Sequence, residues 1–233
     1  MILDTAVIIA GGKGTRLGEM VSDIPKPMVM LNGRPILERI ILWLKKNGVK
    51  HIIIGVAYKK EVIMKHFGDG SDFGINITYT EHDPEGGTED AFKTAIEKSK
   101  INCENFYAMN GDQITDLQLE GFTNSHIEAN AIASIITIQL RTNFGIVETD
   151  NQGYITEFQE KKLVPGVKMN CGIYIFNKKI KKYLKGGNIE QNAFKKILAE
   201  KKLKSFYYDG MWTSVNDQKE LKAAEETLKK YSF

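Results

Sequence analysis

Apolar residues recur along the chain with two different periods. Val7-Ile8-Ile9-Ala10 and Ile52-Ile53-Ile54-Gly55-Val56 are unbroken apolar runs, the pattern of strands covered on both faces. Between them Ile36, Leu37, Ile40, Ile41 and Leu44 return at helical spacing, and Asn47-Gly48 supplies a stop. Val62, Ile63 and Phe67 predict a short helix, and Ile75-Asn76-Ile77-Thr78-Tyr79 alternates as a strand does. This strand–helix rhythm predicts a mainly parallel sheet with flanking helices. Further on, Phe106-Tyr107-Ala108-Met109 and Met169 to Phe176 read as strands, and Ile132 to Leu140 as a long β-rich run. Asp150-Asn151-Gln152-Gly153 reads as a hairpin turn between two short strands. Lys178 to Lys202 reads as two amphipathic helices broken at Gly186-Gly187, Leu203 to Tyr208 as a last strand, and the remainder as a C-terminal helix.

Composition narrows the class. The 233 residues suffice for one large α/β domain, and a net charge of +3, with both signs interspersed, speaks against a nucleic-acid-coating protein. Cys103 and Cys171 form no C-x-x-C pair, and the four histidines are isolated, so neither a zinc site nor a disulfide framework is expected. No apolar run approaches the length of a membrane span and no targeting segment is apparent, so a cytoplasmic protein is expected, with no membrane or nucleic-acid partner.

The densest chemistry follows the first strand, in Gly11-Gly12-Lys13-Gly14-Thr15-Arg16-Leu17 and then Pro25-Lys26-Pro27-Met28. Glycines let backbone N–H groups approach a phosphate, and Arg16 and Lys26 add the charge a triphosphate needs. The spacing fits neither a P-loop, because Gly14 follows Lys13, nor the G-x-G-x-x-G dinucleotide fingerprint. Asn110-Gly111-Asp112 ends a predicted strand, where open α/β sheets bind ligands, so Asp112 is the first candidate for a Mg²⁺ ligand. Asp116 is expected to cap a local turn. In Gly86-Gly87-Thr88-Glu89-Asp90-Ala91, Thr88 can cap the following helix, with Glu89 and Asp90 in its first turn.

The pair G-G-x-G-T-R-L and P-K-P-M, in that order, resembles the signature of the sugar-1-phosphate nucleotidyltransferases, the NDP-sugar pyrophosphorylases, and in particular their short mannose- and heptose-1-phosphate guanylyltransferase members. The resemblance implies a three-layer α/β/α sandwich with a Rossmann-like, mixed, mostly parallel sheet. Residues 1–233 would form a single domain, with about 1–115 for the nucleotide and about 116–233 for the sugar. It implies nucleotidyl transfer from a nucleoside triphosphate to a sugar 1-phosphate, with Arg16, Lys26 and Asp112 catalytic and Mg²⁺ as cofactor. Ala10, Gly11, Gly12, Gly14, Thr15, Gly87, Thr88 and Asp112 would bind the nucleotide, and Gly145, Glu160, Lys161 and Asn170 the sugar phosphate. GTP with mannose or heptose 1-phosphate comes first. CTP, dTTP and UTP stay open, as do a homo-oligomer, a regulatory nucleotide-binding subunit and a non-sugar phosphate or phosphonate acceptor. The chain departs from the pattern at Trp212-Thr213-Ser214-Val215-Asn216-Asp217. Many members carry W-x-D there, with the Asp as second metal ligand, and Ser214 replaces it. Asn216 or Asp217 is expected to substitute, the alternatives being that Asp112 holds the metal largely alone or that activity is reduced.

Overall fold

The computed structural model describes residues 1–142, 144–160 and 163–230. In chain order these form β1 (Thr5–Ile9), β2 (Met30–Leu31), β3 (Arg34–Pro35), α1 (Ile36–Lys46), β4 (His51–Val56), α2 (Lys60–Phe67) and β5 (Asn76–Glu81). Next come α3 (Gly87–Lys98), β6 (Asn105–Asn110), β7 (Gln113–Thr115), α4 (Leu119–Glu128) and β8 (Ala133–Arg141). The chain continues through β9 (Ile146–Thr149), β10 (Ile155–Gln159), β11 (Leu163–Asn177), α5 (Ala193–Ala199), β12 (Leu203–Tyr207), β13 (Trp212–Ser214) and α6 (Gln218–Lys229).

Among the described residues seven strands build one sheet in the order β12-β8-β11-β6-β1-β4-β5. β1 runs parallel to β4 and β6, β4 to β5 and β12 to β8. β11 alone opposes its neighbours β6 and β8. The sheet is therefore mixed and mostly parallel, as expected, with helices on both faces. One core packs α1 and α6 (through Leu37, Ile41, Leu221 and Ala224) against Ile8, Ile54 and Ile173. The other packs α3 and α5 (through Phe92, Ile96 and Ile197) against Val7, Ile53 and Phe176. Alternate residues of each central strand thus serve opposite cores, which is why those strands read as continuous apolar runs. Cys171 is a buried core residue, its thiol pushed up to about 12 by burial.

Two expectations need correction. Lys178 to Lys202 holds a 3₁₀ turn at Lys178–Lys182 and one α-helix, α5, instead of two helices. Gly186 and Gly187, at φ +113° and +93°, carry the chain through a left-handed passage that no helix can continue. β12 is not the last strand: β13 follows and pairs antiparallel with β7, Ser214 opposite Gln113 and Trp212 opposite Thr115. No described helix is long and apolar enough to cross a membrane.

Candidate active site

The β7–β13 ribbon brings together two residues that lie far apart in sequence. Asp112 immediately precedes β7, and Asn216 is the second residue after β13. Their side chains converge on Lys26. Its ammonium donates to Asp112 Oδ2 and, at 2.9 Å, to Asn216 Oδ1. The Lys26 and Asp112 side chains are 12% and 18% exposed, so the pair is partly withdrawn from water and its attraction exceeds that of a surface pair. Gln113 Nε2 donates to the other Asp112 oxygen and fixes the carboxylate plane.

These groups line a cleft of about 340 Å³ at the C-terminal ends of β1 and β6. Its other wall is the glycine loop: Ala10, Gly12, Gly14, Thr15 and Arg16, with Thr88 at the rim. Gly14 has φ +68°, and a Cβ there would lie 2.6 Å from Lys26 Cβ, so only glycine allows the loop to fold over the lysine stem. Gly111 sits close against β1, its N–H donating to Ile9 O at 2.8 Å, which sets Asp112 at the cleft floor. The cleft thus offers glycine backbone, two cations and one carboxylate within a concave site at the carboxyl edge of the sheet.

The donor set also fits a hard divalent cation. One carboxylate and one amide oxygen already share a positive charge, the Lys26 ammonium. Magnesium typically takes one or two such protein oxygens and completes its shell with phosphate and water. Among the described residues no group of three or more His, Cys, Asp or Glu could hold a metal. Of the two candidate replacements, Asn216 faces the cleft. Asp217 is instead the N-cap of α6, its Oδ1 accepting the Glu220 N–H at 2.8 Å, and that capping bond turns it away from the ligand role.

The remaining expected site residues have the following places and contacts. Gly11 and Gly87 do not line the cleft. A Cβ on Gly11 would lie 2.6 Å from His82 Cε1, and one on Gly87 2.8 Å from the Gly187 carbonyl carbon, so both glycines serve close packing. Thr88 does not cap α3: its Oγ1 accepts the Ile189 N–H at 3.2 Å. Asp116 caps no local turn and instead accepts from Tyr208 O–H and Met211 N–H, holding the loop before β13. Gly145 lies beside Glu160, with a Cβ position 3.0 Å from Oε2, on the β9–β10 hairpin. Lys161 is outside the described residues. Asn170 Oδ1 accepts the Gly172 N–H at 2.8 Å, and its Nδ2 donates to Tyr174 O–H at 3.0 Å.

The residues around Asn170 include one that the sequence did not reveal. Glu190 Oε1 lies 3.4 Å from the Tyr174 hydroxyl, which donates to it, and Glu190 Oε2 is buried without a hydrogen-bond partner among the described residues. Burial, helped by the Glu190 carboxylate, holds the Tyr174 phenol far above its ordinary value, so it remains a donor. Glu190 is brought there by Glu89. That carboxylate is 0% exposed and accepts backbone N–H groups from Lys185, Gly186 (2.9 Å) and Ala193 (3.3 Å). Glu89 N–H donates to Gly187 O at 2.9 Å. A lone Glu in Ile-Glu-Gln carries no local signal for such a role.

A mixed α/β sheet with a glycine-rich loop and a lysine–carboxylate pair at its carboxyl edge defines a nucleotide-binding protein of the nucleotide-sugar-transferase fold. The chain belongs to the nucleotidyl transferase family, whose model matches residues 5–230. It is 36% identical over 178 residues to D-glycero-α-D-manno-heptose 1-phosphate guanylyltransferase of Campylobacter jejuni, covering 75% of this chain and 76% of that protein. It is 34% identical over 198 residues to UTP–glucose-1-phosphate uridylyltransferase of Synechocystis, covering 78% of this chain but spanning only 51% of that relative's length. Among solved structures, HddC of Yersinia pseudotuberculosis superposes with TM-score 0.74 at 25% identity, covering 97% of this chain and all of that one. A structure of the same protein complexed with GMP-PN gives 0.72 at 24% identity, covering 97% of this chain and 100% of that chain.

Proposed function

We propose that the chain transfers a nucleotidyl group from a nucleoside triphosphate to a sugar 1-phosphate, giving an NDP-sugar and pyrophosphate. The observation that carries this reading is the single cleft in which the glycine loop, Arg16, Lys26 and Asp112 meet. A sugar phosphate oxygen attacks the α-phosphorus in line. The nucleophile is already an anion, so no strong base is needed. The protein's task is to bring two anions together and neutralise the charge that develops. The loop N–H groups of Gly12 and Gly14 cradle the triphosphate, Arg16 receives the leaving pyrophosphate, and Lys26 spans the α-phosphate and its attacker. Asp112 and Asn216 would hold Mg²⁺, which when bound supplies charge neutralisation across the phosphates.

In this reading residues up to about 115 serve the nucleotide and the later ones the sugar, within one domain. Glu160 and Asn170 accept and read sugar hydroxyls, Lys161 pairs with the sugar phosphate, and the orphaned Glu190 oxygen is a further hydroxyl acceptor. GTP with a mannose- or heptose-type 1-phosphate ranks first, supported by the 36% identity to a heptose-1-phosphate guanylyltransferase. Pyrophosphate release tests this, with GTP, CTP, dTTP and UTP each crossed with a panel of sugar 1-phosphates and with phosphocholine and a phosphonate as controls. Release with GTP and a mannose- or heptose-type acceptor is expected. Release with a control acceptor alone would discard the sugar assignment. Nucleotide binding without release from any pair would replace the enzyme by a regulatory nucleotide-binding subunit.

A further inference from the structure

Asn216 does not orient itself. Its Nδ2 donates to Ser214 Oγ and to Glu220 Oε2, both at 3.0 Å, and its backbone N–H donates to the same Glu220 oxygen at 2.9 Å. Ser214 Oγ in turn donates to Glu220 Oε2 at 3.1 Å. With both amide protons spent behind it, the Asn216 oxygen is left as the atom that faces Lys26 and Asp112. An unheld asparagine amide can present either its oxygen or its NH₂, and an NH₂ aimed at a cation is repelled.

We infer that Glu220, directly and together with Ser214, is a positioning residue that locks the Asn216 carboxamide with its oxygen toward the cation position. On this view Ser214 is no degraded metal ligand. It is the strut of a different device, in which a neutral amide made directional by a carboxylate behind it stands where many relatives use a second carboxylate. Such outer partners orient metal ligands and tune them. The device requires that Glu220 be free of other work. Its backbone N–H is held by Asp217, whereas every side-chain bond described for it goes to Ser214 or Asn216. Ser214 and Glu220 also line a groove of about 710 Å³, while Asn216 lines the cleft, so the relay joins the two.

The inference rests on the proposed metal-assisted reaction, and its test separates the two. Mn²⁺ is titrated alone into the full chain and free ion is read by electron paramagnetic resonance, which needs no turnover. The Mg²⁺ requirement of pyrophosphate release is measured in parallel. Glu220→Ala should weaken Mn²⁺ binding about tenfold or more, as loss of an outer-shell partner does. Glu220→Gln keeps one oxygen for the same three donors and should stay within about threefold of wild type. Ser214→Asp, which restores the common carboxylate, should not tighten binding, because it sets a second negative charge against Glu220. If Glu220→Ala does not fold, Ser214→Ala removes one strut without touching α6 and should weaken Mn²⁺ about threefold. Unchanged Mn²⁺ affinity in Glu220→Ala or in Ser214→Ala, tighter binding in Ser214→Asp, or a wild type that holds no Mn²⁺ would each overturn the inference. A wild type that binds Mn²⁺ through this relay but releases no pyrophosphate from any substrate pair would refute the reaction and leave the relay standing.

Discussion

Replacing Glu89 tests whether the fold's two halves are joined where the structure joins them. Its carboxylate is fully buried and accepts three backbone N–H groups, from Lys185, Gly186 and Ala193. Hydrogen bonds to a charged acceptor contribute about 1.5–3 kcal/mol each. Glu89→Ala deprives all three donors at once. Water can reach the exposed Lys185 and half-buried Gly186 amides and recover part of the loss, but Ala193 is buried and cannot be rehydrated in place. The net cost should therefore be about 3–5 kcal/mol, a large share of the ~5–15 kcal/mol typical of a domain. Glu89→Gln keeps one oxygen but turns an NH₂ toward a remaining donor, and should cost about half as much. Urea unfolding followed by far-UV circular dichroism measures the loss, and hydrogen exchange at Lys185, Gly186 and Ala193 locates it. In catalysis, freeing the 185–193 segment loosens Glu190 and Ile189, so KM for the sugar phosphate should rise before that for the triphosphate. A Glu89→Ala protein that loses under about 1 kcal/mol, with those three amides still protected, would refute the clamp.

Lys26→Ala should lower kcat about 10²–10³-fold with a smaller change in KM for the triphosphate, and intact turnover with a raised KM would contradict its role at the reacting phosphate. Gly14→Ala meets both a φ of +68° and Lys26 Cβ, and should reduce kcat/KM more than Gly12→Ala, whose new methyl meets nothing within 4 Å. Comparing the two by steady-state kinetics and melting temperature distinguishes strain from mere proximity to the cleft. His126 is buried between Ser134 Oγ (2.7 Å) and Asn105 Oδ1 (3.1 Å), and burial lowers its pKa from 6.5 to about 4. Because the unfolded chain takes up this proton first, stability should be level above pH 6.5. It should then fall by about 3 kcal/mol as pH drops toward 4, at ~1.4 kcal/mol per pH unit. His126→Gln should flatten that slope in urea titrations at pH 7.5 and 5, and an unchanged slope would show that another group carries it.

What the sequence made legible follows from the range of the interactions involved. β1, α1 and β4 announce themselves because their burial is decided by neighbours in sequence: alternate faces of a strand, or one stripe of a helix. The glycine loop was legible for the same reason, since a phosphate cradle is built from consecutive backbone. Thr88, Glu89 and Glu190 were not. The partners of Thr88 and Glu89 stand about a hundred residues away and those of Glu190 sixteen and twenty, and nothing local distinguishes a first-turn glutamate that favours the helix dipole from one that holds a distant loop by three amides. In sequence Glu89 and Asp90 read only as first-turn acids suited to the helix dipole. In the structure Glu89 has a partner segment of its own, and the paired glycines at 86–87 and 186–187 let the two backbones meet, with Gly187 N–H donating to Gly86 O at 3.2 Å. The same logic governs Ser214. Judged alone it is a lost carboxylate. Judged with Glu220 six residues on and Asn216 between them, it belongs to a hydrogen-bonded set of three that, in the proposed relay, would take the place of one carboxylate. A departure from a motif is then best weighed against the contacts of the substituting residue, because a function held by a network can move within it while the cleft keeps its charge and shape.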